Sequence, residues 1–214
     1  MSVIDAGVID IHAHAVLEST FGAAGRYGPT LDTDETGTPQ FRVGDYVLKG
    51  VRYRGSAFMD VDLRLTAMQR AGIDYQVLSP NPLTYFHFIE TEQAVAFCRH
   101  HNNVLAALIA PHRDRLGAFA ALPMQDIDAA IAELTRAVRD LGMLAGYVGT
   151  DLPHALDSAD MDRFYAACVA LDVPLFIHPG PLASMGRRET HVCGASIWMS
   201  SPVSRARKQS PSPH

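Results

Sequence analysis

The 214-residue sequence predicts an α/β fold, a (β/α) TIM-type barrel that is incomplete, carrying about five of the eight units such a barrel has. Short apolar runs alternate along the chain with amphipathic helical stretches, and that alternation means a parallel sheet. The connections between them are uniformly short, which favours one barrel over separate modules. Histidines stand at the ends of the first and last runs, and a parallel barrel gathers its chemistry at the carboxyl ends of its strands.

The first run, Val8 to His14, leads β-branched and apolar residues into two histidines spaced by two, and reads as a buried strand. Strand side chains alternate faces, so His12 and His14 project to one side; two neutral imidazoles held side by side make half of a divalent metal site. Ten histidines in the chain give about half of one His-x-His by chance, so the tripeptide takes its weight from the apolar run it closes. Residues 15–58 then lose clear periodicity under repeated Gly and Pro, and are predicted to be a structureless insertion. Arg42, Arg52 and Arg54 lie in it, interleaved with Phe41, Tyr46, Tyr53 and Phe58. Such a loop, following the histidine strand, can fold over its mouth and bring an Arg to an anionic substrate; the competing reading is solvated loop charge.

A helical period begins at Asp60, with Val61, Leu65 and Met68 on one face and Gly72 as the carboxyl-terminal cap. Tyr75 to Ser79 is a short strand closed by Pro80 and Pro82. A helix over 92–110 follows, with Val95, Cys98, Asn102, Leu105 and Ile109 as its inner stripe and Pro111 as its stop. The adjacent His100 and His101 are read as surface or groove residues. Gly117 to Leu122 is apolar and too short for a helix, hence a strand. Asp126 caps a helix in which Ile127, Ile131, Leu134, Val138 and Leu141 recur at steps of three and four. Gly146 to Gly149 is another strand, leading into a turn-rich loop through Pro153 and His154. Asp160 opens a helix through Phe164, Cys168 and Leu171, and Pro174 to His178 is the last strand. The first and fifth strands of an eight-stranded barrel lie across its bore, so His178 is expected to face the His12–His14 pair over the mouth.

Composition sets the wider frame. Hydrophobic residues at 48 % and charged ones at 19 % suit a globular fold with a sizeable core. A net charge of −5 argues against a nucleic-acid partner. Cys98, Cys168 and Cys193 are scattered and form no CxxC, so they read as buried thiols of a reducing compartment. With no basic segment ahead of an apolar core, and no apolar run near the roughly 20 residues of a bilayer span, a cytoplasmic chain without a membrane partner is expected. The pattern decays after Gly180. Residues 187–214 carry five Lys or Arg against one acid, whereas 1–186 carry 13 against 22. This break predicts a partial barrel over 1–186 and a divergent, disordered tail over 187–214, with the reading frame cut short or shifted near residue 187.

Four stretches together resemble a known family: Ile9-Asp10-Ile11-His12-Ala13-His14, Gly117 to Gln125, Gly146 to Thr150, and Leu175-Phe176-Ile177-His178-Pro179. In this order they are similar to aminocarboxymuconate-semialdehyde decarboxylase and its relatives in the amidohydrolase superfamily, which also includes resorcylate-type decarboxylases and some hydratases. The resemblance spans roughly residues 5 to 182. It implies a metal-dependent-hydrolase-type barrel and a divalent metal, usually Zn2+, held by residues matching His12, His14 and His178. It also implies an Asp from the eighth strand and a catalytic His after the sixth, neither of which has a counterpart here; His191 is the only nearby imidazole and does not match the motif. An Arg ahead of the first helix that binds substrate carboxylate in the family is best matched by Arg54, with Arg52 as the other choice.

The implied activity is non-oxidative decarboxylation of a small carboxylated aromatic or muconate-semialdehyde-like substrate, in a chain that can pair as a homodimer. Metal-dependent hydrolysis of a carboxamide or lactone is the alternative within enzymes, since both reactions use a metal-activated water. A third reading is a non-catalytic fragment, because an open five-stranded arc leaves two sheet edges bare.

Overall fold

The computed structural model describes residues 7–179; the tail 187–214, with His191 and Cys193, lies outside them. The chain runs β1 (Ile9–Ala15), three short strands β2 (Thr30–Thr33), β3 (Pro39–Val43) and β4 (Tyr46–Lys49), then α1 (Val61–Ala71), β5 (Tyr75–Pro80), α2 (Thr91–Ile109), β6 (Leu116–Ala121), α3 (Ile127–Arg139), β7 (Ala145–Gly149), α4 (Ala159–Leu171) and β8 (Leu175–His178). A five-stranded sheet in the order β1-β5-β6-β7-β8 is parallel throughout, so the predicted alternation holds and the described part is a partial (β/α) barrel.

Helix ends follow from local chemistry. Asp60 accepts the Leu63 N–H at 2.9 Å at the start of α1, and Gly72, at φ +68°, closes it in the left-handed conformation that favours glycine. Asp126 accepts from Ala129 in the same way at the start of α3. α4 opens on Ser158, two residues before the expected Asp160, because the Ser158 hydroxyl reaches the Met161 N–H.

Along the strands, alternate residues divide between two cores. Ala118, Ala120, Leu78 and Val148 turn toward the helices and pack with Leu105, Ile109, Leu134 and Phe164. Tyr75, Val77, Phe119 and Tyr147 form a separate aromatic cluster with Tyr85, and Phe176 stacks on it, 5.2 Å from Phe119 and 5.8 Å from Tyr147 between ring centroids.

Three expectations need correction. β1 is not buried along its length: Ile9 and Ile11 are 42 % and 51 % exposed, because β1 is one edge of the described sheet. The insertion over 15–58 is not structureless. β2, β3 and β4 form an antiparallel sheet whose Phe41 and Val43, with Tyr53, pack on Phe86, Ala94 and Phe97. Finally, His101 is buried at 3 % exposure on the inner stripe of α2, whereas His100 is exposed and reaches the Ser19 carbonyl at 2.7 Å.

Cys98 and Cys168 are free and buried. No helix among the described residues is long and apolar enough to cross a membrane.

Candidate metal centre

β1 and β8 are the two edges of the five-stranded sheet, yet the sheet curls until their carboxyl ends meet. His12 and His178, 166 residues apart, bring their Nε2 atoms to 3.0 Å. The three rings of His12, His14 and His178 stand edge to face, with centroid separations of 5.1, 5.0 and 4.9 Å. One nitrogen from each ring falls within 4.8 Å of the others. His12 is exposed and the other two are half-buried, so the cluster opens to solvent on one side.

Hydrogen bonds at the far side of two rings select their tautomers. His178 Nδ1 lies 2.8 Å from the Pro179 carbonyl, which can only accept, so Nδ1 carries the proton and Nε2 the lone pair. His14 Nδ1 lies 3.1 Å from the Pro80 carbonyl and 2.8 Å from Ser79 Oγ, whose own proton goes to the Ala13 carbonyl. His14 therefore also presents a bare Nε2. Burial, then His178 and His12, hold its pKa down at about 3, against the pull of the Pro80 carbonyl. Burial likewise lowers His178. Neutral imidazoles with lone pairs turned inward and outer N–H groups tied to acceptors are the donor set a divalent cation requires, so these residues fit such an ion.

β1 carries a bulge between Asp10 and Ala13 in its pairing with β5. In an unbroken strand Asp10 and His12 would share a face. The extra residue instead lets Asp10 bond Gln76, while Ala13 and Ala15 join the helix-side core and leave His12 and His14 against Phe176 and Tyr147.

Behind the histidines lies a buried polar cluster that the sequence reading missed. Tyr147 packs 6.3 Å from His14 and 5.8 Å from His178, and Tyr85 stacks on Tyr147 at 5.3 Å. Burial drives both phenols well above their ordinary pKa, so they stay protonated. His87 Nδ1 sits 3.2 Å from the Asp151 carbonyl and 3.8 Å from its carboxylate, and burial lowers this imidazole against the opposing pull of that charge. Tyr85 Oη, Tyr147 Oη and Asp151 Oδ1 are buried with no hydrogen-bond partner among the described residues. Tyr85 and His87 follow β5 and Asp151 follows β7. The rule that drew attention to His178 would have found them too.

The arginines of the insertion are placed differently from the histidines. Arg54 is exposed and paired with Glu18 at 2.6 Å, just past the end of β1, and Arg52 is exposed.

The model of the amidohydrolase family matches residues 9–210. The chain belongs to that family. A gamma-resorcylate decarboxylase of Rhizobium radiobacter is 33 % identical to this chain over 172 residues, 76 % of this chain and 50 % of its own length. A 2-amino-3-carboxymuconate-6-semialdehyde decarboxylase of Dictyostelium discoideum is 24 % identical over 188 residues, covering 84 % and 50 %. Among solved structures, a dihydroxybenzoic acid decarboxylase of Polaromonas sp. JS666, with bound manganese and 2-nitroresorcinol, superimposes with a TM-score of 0.63 at 28 % identity, covering 86 % of this chain and 52 % of that one. The chain thus spans about half the length of the curated relatives it matches.

Proposed function

We propose that His12, His14 and His178 are protein ligands of a divalent metal, most suitably Zn2+, in a cytoplasmic decarboxylase of small carboxylated aromatic or muconate-semialdehyde-like substrates. One observation carries this reading: imidazoles from opposite edges of the sheet meet with Nε2 atoms 3.0 Å apart. An all-nitrogen donor set among the described residues favours zinc over manganese, which prefers oxygen ligands. When bound, such a cation polarises oxygen substituents of the substrate and stabilises negative charge that develops on it.

The chain's own residues supply the surroundings. Phe176 beside His12, only partly buried and backed by the buried Tyr147, offers a flat apolar face to an aryl or conjugated substrate. Arg54, or Arg52, takes the substrate carboxylate. Arg54 must first release Glu18, and an exposed pair of that kind is worth only about 0–1 kcal/mol. In the reaction the bond between the substrate carbon and its carboxylate breaks, carbon dioxide leaves, and the electron pair stays on the carbon until a proton reaches it.

Metal analysis of the purified chain, with carbon dioxide release from dihydroxybenzoates and aminocarboxymuconate semialdehyde, tests the proposal. One zinc per chain is expected, lost in His12→Ala and in His178→Ala. Undiminished zinc in either variant would remove the ligand assignment. Carbon dioxide from neither substrate class, with turnover of a lactone or carboxamide instead, would replace decarboxylation by hydrolysis.

A further inference from the structure

We propose that Arg64 is a positioning residue for the histidine pair, acting through Gln76 and Asp10 to fix the backbone of β1 at both His12 and His14. Arg64 projects from α1 and is only 6 % exposed, yet among the described residues no carboxylate lies within ion-pair distance of it. A desolvated guanidinium without a direct counter-ion is costly and persists only where its hydrogen bonds are well used. Arg64 Nη2 donates to the His14 carbonyl at 2.7 Å, and Nη1 donates to Gln76 Oε1 at 2.7 Å. Gln76 Nε2 passes the connection on to Asp10 Oδ2 at 2.7 Å, and Asp10 Oδ1 accepts the His12 N–H at 2.9 Å.

Each link has one workable direction. Arg64 can only donate, which turns the Gln76 oxygen toward it and the Gln76 amino group toward Asp10. The relay ends at the bulge, where the β1–β5 register shifts, so a side chain rather than the strand partner holds the His12 amide. The bulge lets Asp10 serve the relay without carrying His12 away from His14. Arg64 and Asp10 are opposite charges joined through one amide, so the relay tightens the strand without adding net charge beside the three imidazoles.

The inference rests on the metal reading proposed above, and its test separates the two. In the 214-residue chain, Co2+ affinity is measured by chelator competition and the Co2+ visible absorption is recorded. Arg64→Met should weaken binding about 10- to 100-fold, the usual effect of removing a group that orients metal ligands. Gln76→Glu keeps the acceptor for Arg64 but sets a carboxylate against Asp10 where the amide donor was. It should also weaken binding, alter the absorption band, and leave the metal-free chain folded. Arg64→Lys, which keeps the charge but has one nitrogen in place of the two that reach separate acceptors, should recover only part of the affinity. If Arg64→Met does not fold, Gln76→Glu carries the test. Wild-type Kd and absorption in the folded variants would overturn the positioning role alone. Failure of the wild-type chain to take up Co2+ would overturn the metal reading, and the positioning role with it.

Discussion

Asn102→Leu isolates a buried polar joint that holds the end of β6. Asn102 is fully buried; its Oδ1 accepts the Ala121 N–H at 2.8 Å, and its Nδ2 donates to the Ala121 carbonyl at 2.9 Å and to Glu133 Oε1 at 2.7 Å. Glu133 is itself buried and takes two further bonds from Arg136, at 2.7 and 2.9 Å. Leucine has the same number of side-chain heavy atoms as asparagine in the same branched arrangement, so no cavity opens, and the cost comes mainly from polar groups stranded without water. The Ala121 N–H loses its acceptor, about 1–3 kcal/mol, and one charged bond to Glu133 is lost, about 1.5–3 kcal/mol. Allowing for the apolar gain of leucine, the variant should lose about 3–5 kcal/mol, a large share of a domain's usual 5–15. Urea unfolding of the metal-free chain, followed by far-ultraviolet circular dichroism, should show the midpoint falling by about 1.5–2.5 M at an m-value near 2 kcal/mol/M. A loss below about 1 kcal/mol would refute the reasoning, because it would mean that the Ala121 amide finds another acceptor at little cost.

The buried His101 gives a pH dependence whose sign is fixed by its environment. Burial first, and His100 second, lower its folded-state pKa from 6.5 to about 4, so the unfolded chain binds the proton more readily. Its contribution is present in full above pH 6.5 and is lost as pH falls toward 4. The loss reaches about 3 kcal/mol at most. Unfolding free energies of the metal-free chain against pH should show a shallower decline over that window in His101→Phe than in wild type; parallel curves would contradict it. For the substrate arginine, Arg54→Met should raise KM for a carboxylate substrate about 10- to 100-fold, the worth of one charge-assisted hydrogen bond. Glu18→Gln should change stability by less than about 1 kcal/mol. The KM effect appearing in Arg52→Met instead would transfer the role to Arg52.

Legibility in the sequence followed the range of the interactions involved. α3 was plain because Asp126 and a run of apolar residues at steps of three and four act within a few turns, and its Leu134 is fully buried as that pattern requires. β2, β3 and β4 were invisible because strands of four or five residues hold too little alternation to show above their glycine-rich turns; Gln40 and Phe41 are consecutive and both buried. Arg64 was hidden for a different reason. An Arg on an amphipathic helix reads as a solvated charge, and only the tertiary packing of α1 over β1 and β5 removes it from water. His101 was misread in the same way, since a polar residue on the inner stripe of α2 gives no local sign that its neighbours are apolar. His12, His14 and His178 could be read together because strand alternation and the carboxyl-end rule are both properties of a sheet that sequence pattern reveals.

The meeting of His12 with His178 depends on more than either strand. Between them lie four parallel pairings, β1 with β5, β5 with β6, β6 with β7 and β7 with β8, and the last places Gly149 opposite His178. A one-residue slip in any pairing would turn a whole strand over and carry one imidazole to the helix side. The side chains within the arc oppose such a slip. Phe119, Tyr147 and Phe176 stack at 5.2 and 5.8 Å across three successive strands, and Phe176 lies 6.1 Å from His12. On the same strands small residues alternate with these rings, as at Ala118, Ala120 and Gly146, so a slipped register would put a ring where only Ala or Gly fits. The geometry of the three imidazoles is therefore set as much by aromatic packing on β6, β7 and β8 as by the His-x-His spacing that first marked them.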